Sequence, residues 1–278
     1  MKEETESHFI LPIIIMSSVC LLVLFKYGGF YYRSCINMLC FLSMAIYGTI
    51  SSLVFPLIGK RHLIQWSVAR GYYYLGKFFC GIEVKVEGQE NLQEIQGPAI
   101  YVMNHQSSLD VMLMGKVYPK NTTVVAKKQL KYYPFLGWFM ILSNAIFLDR
   151  KNRDSAVKEA RKAAEDIHQK NINVWIFPEG TRGHAGKIDL LPFKKGPFYM
   201  AVQARVPIVP VVFSNYYDIY SAKEKRFTNG VVRCKVLPPI PTDGVQEASA
   251  DIEKLATGCR DQMLAALKDI TVRKDKSQ

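Results

Sequence analysis

The stretch Ala99-Ile100-Tyr101-Val102-Met103-Asn104-His105-Gln106-Ser107-Ser108-Leu109-Asp110 sets a short apolar run, entered through Gly97-Pro98, against a polar loop that ends in a carboxylate. Five apolar residues bounded by turn formers predict a buried strand, and the small polar residues after it force a loop. From Leu109 the chain turns apolar again, with Val111, Met112, Leu113, Met114 and Val117 dense enough for a helix packed on a sheet. Ser107 or Ser108 is the expected cap of that helix. His105 then lies in a strand-to-helix loop and Asp110 in the first helical turn. A carboxylate there would orient the imidazole through one nitrogen and leave the other for a substrate, which suits a general base near neutral pH. A His-x4-Asp pair alone is equally what a loop histidine beside a capped helix displays.

Outward from this stretch the same grammar repeats. Ile82, Val84 and Val86 alternate with Glu83, Lys85 and Glu87, as in a half-exposed strand. Apolar runs follow at 122–126, 145–148, 174–177 and 206–213, and 231–237 alternates once more. Between them, 154–170 keeps a helical period through Val157, Ala160, Ala164 and Ile167. A last amphipathic helix carries Ile252, Leu255, Cys259, Met263 and Leu267. Strands alternating with helices predict an α/β domain over 82–270, a mixed sheet flanked by helices, with a charged tail over 271–278.

Residues 1–81 differ in texture. Phe9 to Phe25 carries no charge over about 17 residues, the lower limit for a bilayer span, and Cys35 to Ile58 is uncharged over about 24. The aromatic, basic connector Lys26 to Arg33 suits an interface, so the two segments predict a membrane-embedded helical hairpin. Residues 62–81, rich in tyrosine and phenylalanine, are expected as a helix at the membrane surface. The excess of 36 Lys and Arg over 24 Asp and Glu, net +12, fits anionic lipid and phosphorylated substrates. The chain has no nucleic-acid signature. Its six cysteines form no C-x-x-C and no metal spacing with histidine, as free thiols in a reducing compartment do.

Three further stretches end apolar runs in charged turns. Lys127 directly follows a predicted strand, and Arg150 closes Phe147-Leu148-Asp149-Arg150; either base would neutralise a phosphate or simply sit at a strand end. Phe177-Pro178-Glu179-Gly180-Thr181-Arg182 places a rigid turn after a buried strand. Its Arg182 offers a planar fork matched to phosphate, Thr181 a hydroxyl, and Glu179 an acceptor for a base or hydroxyl. Leu191-Pro192-Phe193-Lys194-Lys195-Gly196 leads into Val206-Pro207-Ile208-Val209-Pro210-Val211, and its two lysines face phosphate or plain solvent.

In this order, His-x4-Asp, Phe-Leu-Asp-Arg, Phe-Pro-Glu-Gly-Thr-Arg and Val-Pro-Ile-Val-Pro-Val resemble the four motifs of the glycerolipid acyltransferases. The Ala126 to Trp138 stretch, Leu-Pro-Phe-Lys-Lys-Gly and the apolar N-terminus make the chain similar to the fungal-type microsomal 1-acyl-sn-glycerol-3-phosphate (lysophosphatidate) acyltransferases. The resemblance implies His105 as general base, Asp110 as its orienting partner, and Lys127, Arg150, Glu179, Gly180, Thr181 and Arg182 at the glycerol phosphate. It implies acyl transfer from acyl-CoA, a co-substrate rather than a cofactor, to the sn-2 hydroxyl of lysophosphatidate, without a metal. It also implies attachment to the endoplasmic reticulum membrane or lipid droplets, with the catalytic domain facing the cytosol. The same blocks would serve an acyltransferase for another lysophospholipid or for glycerol 3-phosphate. His105 and Asp110 activating water would instead give a thioester hydrolase, and a membrane-anchored lipid-binding protein would use neither.

Overall fold

The structure, a computed structural model, describes Met16, residues 28–148, 153–183 and 186–271, with backbone alone at 148 and over 153–160. Two helices come first, α1 (Gly29–Val54) and α2 (Ile64–Cys80). Next are β1 (Ile82–Glu87), the short α3 (Glu90–Gln93), β2 (Ile100–Met103), α4 (Asp110–Leu113) and β3 (Thr122–Lys127). Then come α5 (Leu136–Leu142), β4 (Ile146–Leu148), α6 (Arg153–Lys170), β5 (Asn173–Ile176) and α7 (Gly196–Ala204). The chain continues through β6 (Ile208–Phe213), the hairpin strands β7 (Tyr220–Ser221) and β8 (Arg226–Phe227), β9 (Gly230–Val236) and α8 (Ser249–Ile270).

Seven strands form one sheet in the order β1-β9-β6-β2-β5-β3-β4. From β6 to β4 every pairing is parallel, whereas β9 runs antiparallel to β6 and parallel to β1. The mixed sheet expected from the sequence is therefore present. All four residues of β2 and all six of β6 are buried, the pattern of strands covered on both faces. Alternation divides them: Tyr101, Met103, Val209, Val211 and Phe213 pack beneath α2 and α4, while Ile100, Val102, Ile208 and Val212 meet α6, α7 and α8. Because the five parallel strands share a direction, the loops after β2, β5 and β6 emerge at one edge.

The N-terminal region is more closely tied to the sheet than its composition suggests. α2 buries Ile64, Gln65, Ala69, Tyr72, Tyr73, Gly76 and Cys80 in the core instead of lying on a surface. The Tyr73 hydroxyl accepts a hydrogen bond from the Val84 N–H at 3.1 Å. Three consecutive tyrosines span about 200° around a helix, so Tyr72 and Tyr73 turn inward while Tyr74 stays exposed with Phe78 and Phe79. The expected connector is also shorter: helix begins at Gly29, and Arg33 Nη1 donates to the Cys80 carbonyl at 2.7 Å. The earlier apolar segment, Phe9 to Phe25, lies outside the described residues except for Met16, and the tail lies outside from 272.

α1 has two unlike faces. Small residues Cys40, Ala45, Gly48, Ser51 and Ser52 face inward and let α2 and α5 approach, while Leu39, Leu42, Ile46, Ile50 and Leu53 are exposed at helical spacing. Gly29–Ile58, with mean hydropathy 1.9, is long and apolar enough to cross a membrane by length and composition. The five described cysteines are free, as the sequence predicts.

A close contact joins α2 to the turn that follows α4. A Cβ added at Gly115 would lie 2.0 Å from the Ala69 carbonyl oxygen, so Gly115→Ala must move backbone. Overpacking of this kind costs about 1–3 kcal/mol. We expect a lower unfolding midpoint for the variant in detergent; an unchanged midpoint would mean that α2 does not seat on α4 this closely.

Candidate active site

The site grows from a loop wrapped around its own carboxylate. Asp110 is 0% exposed. Its Oδ2 accepts from the Gln106 N–H at 2.6 Å and the Ser107 N–H at 2.8 Å, and lies 2.8 Å from His105 Nδ1. Its Oδ1 accepts from the Tyr216 hydroxyl. A buried carboxylate without such donors costs several kcal/mol, so the loop can close only in the shape that supplies them. That requirement overrides the expected serine cap: Leu109 occupies the N-cap without a side-chain bond, and Ser107 Oγ accepts from Leu109 N–H at 3.0 Å. It also consumes the Gln106 and Ser107 amides, which therefore do not serve as oxyanion donors.

Tyr216 shows how the pair is held from behind. Burial, and then the Asp110 charge, push its phenol well above the ordinary value, so it remains a neutral donor. Its oxygen lies 2.9 Å from Ser107 Oγ. With the phenol proton committed to Asp110, the serine must be the donor there. Ser108 Oγ sits 3.4 Å from the Tyr220 hydroxyl. Neither serine is hydrogen-bonded to His105 among the described contacts, so neither is arranged as an activated nucleophile.

The loop after β5 clamps the histidine from the other side. Glu179 Oε1 accepts from the His105 N–H at 2.7 Å, and Oε2 accepts from the Leu191 N–H at 2.9 Å. The Gly183 N–H donates to the His105 carbonyl at 2.7 Å. The Phe177 ring stacks on the imidazole at 4.1 Å and 23°. Asn104 Nδ2 and Oδ1 bridge to the Phe213 carbonyl and N–H at 2.9 and 2.8 Å, and Gln106 Nε2 donates to the Phe213 and Ser214 carbonyls. Three parallel strand ends thus hold one ring. With Nδ1 bonded to Asp110, a neutral imidazole presents the Nε2 lone pair.

The other expected residues fall at the same edge with different fates. Glu179, expected at the substrate, is buried with both oxygens spent on backbone N–H groups, so it braces the loop. Gly180 takes φ +71° in the turn, a conformation L side chains rarely adopt, and swings the exposed Thr181 and Arg182 outward. Lys127 is exposed at the end of β3, two strands and about 10 Å from β2. Arg150 lies outside the described residues. Lys195 Nζ is engaged by Ser249 Oγ and Glu253 Oε2 at 2.9 and 2.8 Å, away from this edge, whereas Lys194 packs beside Gly180. Sequence reasoning missed Asn104, Gln106, Phe177 and Tyr216. The signal available for Tyr216 was its place just after a fully buried strand, where polar residues reach the site edge.

Burial raises the Glu179 carboxyl above its ordinary value, against the two backbone donors that lower it. The folded state therefore binds that proton more tightly than the unfolded chain. The associated stability is complete below about pH 4.3, the unfolded value, and is lost as pH rises through the raised folded value. Glu179→Gln cannot titrate and loses one acceptor. Its stability deficit relative to wild type should shrink as pH rises from about 4 upward, read by thermal unfolding of both proteins. A deficit independent of pH would remove burial as the cause.

The model of the Acyltransferase family matches residues 83–214. The chain is 43% identical over 241 residues to 1-acyl-sn-glycerol-3-phosphate acyltransferase of Saccharomyces cerevisiae, covering 87% of this chain and 78% of that protein. It is 42% identical over 195 residues to human 1-acyl-sn-glycerol-3-phosphate acyltransferase alpha, covering 70% and 67%. Its fold matches the crystal structure of the acyltransferase PlsC from Thermotoga maritima with a TM-score of 0.65 at 22% identity, over 92% of this chain and 99% of that one. The identity to the yeast protein, carried over most of both chains, shows that this chain belongs to the 1-acyl-sn-glycerol-3-phosphate acyltransferase family.

Proposed function

We propose that this protein transfers a fatty acyl group from acyl-CoA to the sn-2 hydroxyl of lysophosphatidate, giving phosphatidate and free CoA. The observation that carries the chemistry is the His105 ring, fixed through Nδ1 by a fully buried Asp110 and left open at Nε2. Nε2 takes the proton of the sn-2 hydroxyl as its oxygen attacks the thioester carbonyl. The tetrahedral intermediate collapses with loss of the C–S bond, and the imidazolium returns the proton to the departing thiolate. Asp110 stabilises the imidazolium between these steps. Thiolate leaves readily, so the chain's own residues suffice for the proton traffic. The acceptor is supported by family membership and by Arg182 and Thr181, displayed outward from the corner that Gly183 joins to His105. Lys127 and Arg150 add positive charge from neighbouring strand ends, while Glu179 and Gly180 set the corner's shape.

We assign residues 1–81 to membrane anchoring, 82–270 to the acyltransferase domain and 271–278 to a charged tail. Both substrates carry long acyl chains, and an anchor that holds the sheet at the bilayer removes the need to extract them. This reading supports an endoplasmic reticulum or lipid-droplet membrane, with the catalytic domain on the cytosolic side where acyl-CoA is made.

With purified protein in detergent, labelled oleoyl-CoA and lysophosphatidate should yield phosphatidate, and His105→Ala should lower kcat by about 100-fold to 10,000-fold. Asp110→Asn, which keeps the shape but loses the charge, should fall in the same range. Equal activity in either variant would remove the pair from the mechanism. Arg182→Ala should raise KM for lysophosphatidate about tenfold or more, as expected for a lost charge-assisted contact. A preference for lysophosphatidylcholine would overturn the acceptor. Direct transfer predicts sequential kinetics, and parallel lines in a double-reciprocal plot would indicate an acyl-enzyme instead.

A further inference from the structure

Between Lys127 and Ile141 the chain leaves the catalytic edge of the sheet and displays large apolar side chains to solvent. Tyr132, Tyr133, Phe135, Trp138 and Ile141 are exposed, Tyr132 to 80% and Trp138 to 51%. The display is built. Phe135 takes φ +59° and ψ −56°, and Leu136 N–H donates to the Pro134 carbonyl at 2.6 Å, closing a three-residue turn of the rare, strained kind. The turn turns Phe135 outward, edge-on to Trp138 at 5.2 Å and 68°. α1 supports it from beneath: Thr49 Oγ1 donates to the Phe135 carbonyl at 3.0 Å, and the inward-facing Phe139 ring packs over Gly48.

We propose that Tyr132 to Ile141 is a second membrane-binding element, an aromatic platform that sinks into the bilayer interface and sets the catalytic edge of the sheet against lipid. The inference rests on the membrane reading of α1. Three observations favour lipid as the occupant. The platform packs on α1 through Thr49 and the inward-facing Gly48, and the same helix exposes Leu42, Ile46, Ile50 and Leu53. Tyrosine, tryptophan and phenylalanine beside lysine is the composition of a membrane–water interface. No acidic residue occurs between Asp110 and Asp149, whereas Lys116, Lys120, Lys127, Lys128 and Lys131 do, so the surround complements an anionic leaflet. Because Lys127 ends β3 at the same edge as His105, seating the platform brings a bilayer-borne substrate to the base without leaving the lipid.

The full chain reconstituted in vesicles of phosphatidylcholine and phosphatidylglycerol tests this, with brominated acyl chains quenching tryptophan from within the bilayer and acrylamide from water. Wild type should lose much of its emission to bromolipid, and Trp138→Phe should abolish most of that quenching while Trp66→Phe does not. Flotation of the protein with vesicles, with Trp138 reached by acrylamide but not bromolipid, would overturn the platform and leave the anchor standing. Failure to float would overturn both. Trp138 shielded from both quenchers would mean that protein, such as a second copy, covers this face. In a second measurement, Phe135→Ser with Trp138→Ser should raise KM for vesicle-borne lysophosphatidate about tenfold or more. Activity on a short-chain, water-soluble lysophosphatidate should persist; equal KM for the two substrates in wild type and variant would overturn the proposal.

Discussion

A carboxylate sealed from water must be met by donors, and Asp110 meets that demand with two backbone N–H groups of its own loop, the His105 ring and the Tyr216 hydroxyl. The same atoms that make its burial tolerable give the imidazole its tautomer and aim. Stability and the aim of the ring are thus one constraint: a loop that failed to close around Asp110 would leave both a buried charge and a free-swinging ring. The short helix that begins at Asp110 needs no serine cap because the carboxylate draws the preceding amides toward itself.

That loop is held from outside by its neighbours in the sheet. β2 lies between β6 and β5, so the loops that follow all three emerge side by side at the carboxyl edge. Glu179 comes from one neighbour, 74 residues away, and the Phe213 carbonyl and Tyr216 from the other, more than 100 residues away. Each contributes backbone or buried polar contacts, which leaves only Thr181 and Arg182 of the Pro-Glu-Gly-Thr-Arg corner turned outward. The division is physical: a group spent on holding the imidazole in place is unavailable to a ligand, whereas exposed groups such as Thr181 and Arg182 keep their hydrogen-bonding capacity.

The N-terminal helices join the sheet to a long apolar surface. α2 contributes a full core face beneath the sheet and α1 covers it with small residues, so the two helices and the sheet pack as one body. Movement of α1 would open the Arg33 and Thr49 contacts, and movement of α2 against the sheet the Tyr73 contact, that stitch the layers together. A rigid link of this kind fixes the site edge of the sheet relative to the exposed apolar face of α1.

The sequence by itself determined the elements and the pairing of His105 with Asp110. Continuous apolar runs, period-2 alternation and period-3.6 patterns locate the seven strands of the sheet and the long helices, because burial of a strand or helix is written locally. His105 and Asp110 are legible because they belong to one loop, five residues apart. Only the tertiary structure decided that Glu179 turns inward, that Tyr216 completes the carboxylate's shell, that Ser107 does not cap α4, and that Tyr72 and Tyr73 enter the core. The Glu179 and Tyr216 placements depend on which strands are neighbours, contacts across 74 and 106 residues that no local periodicity encodes; Ser107 yields to the carboxylate three residues on, and the two tyrosines to the packing of α2 on the sheet.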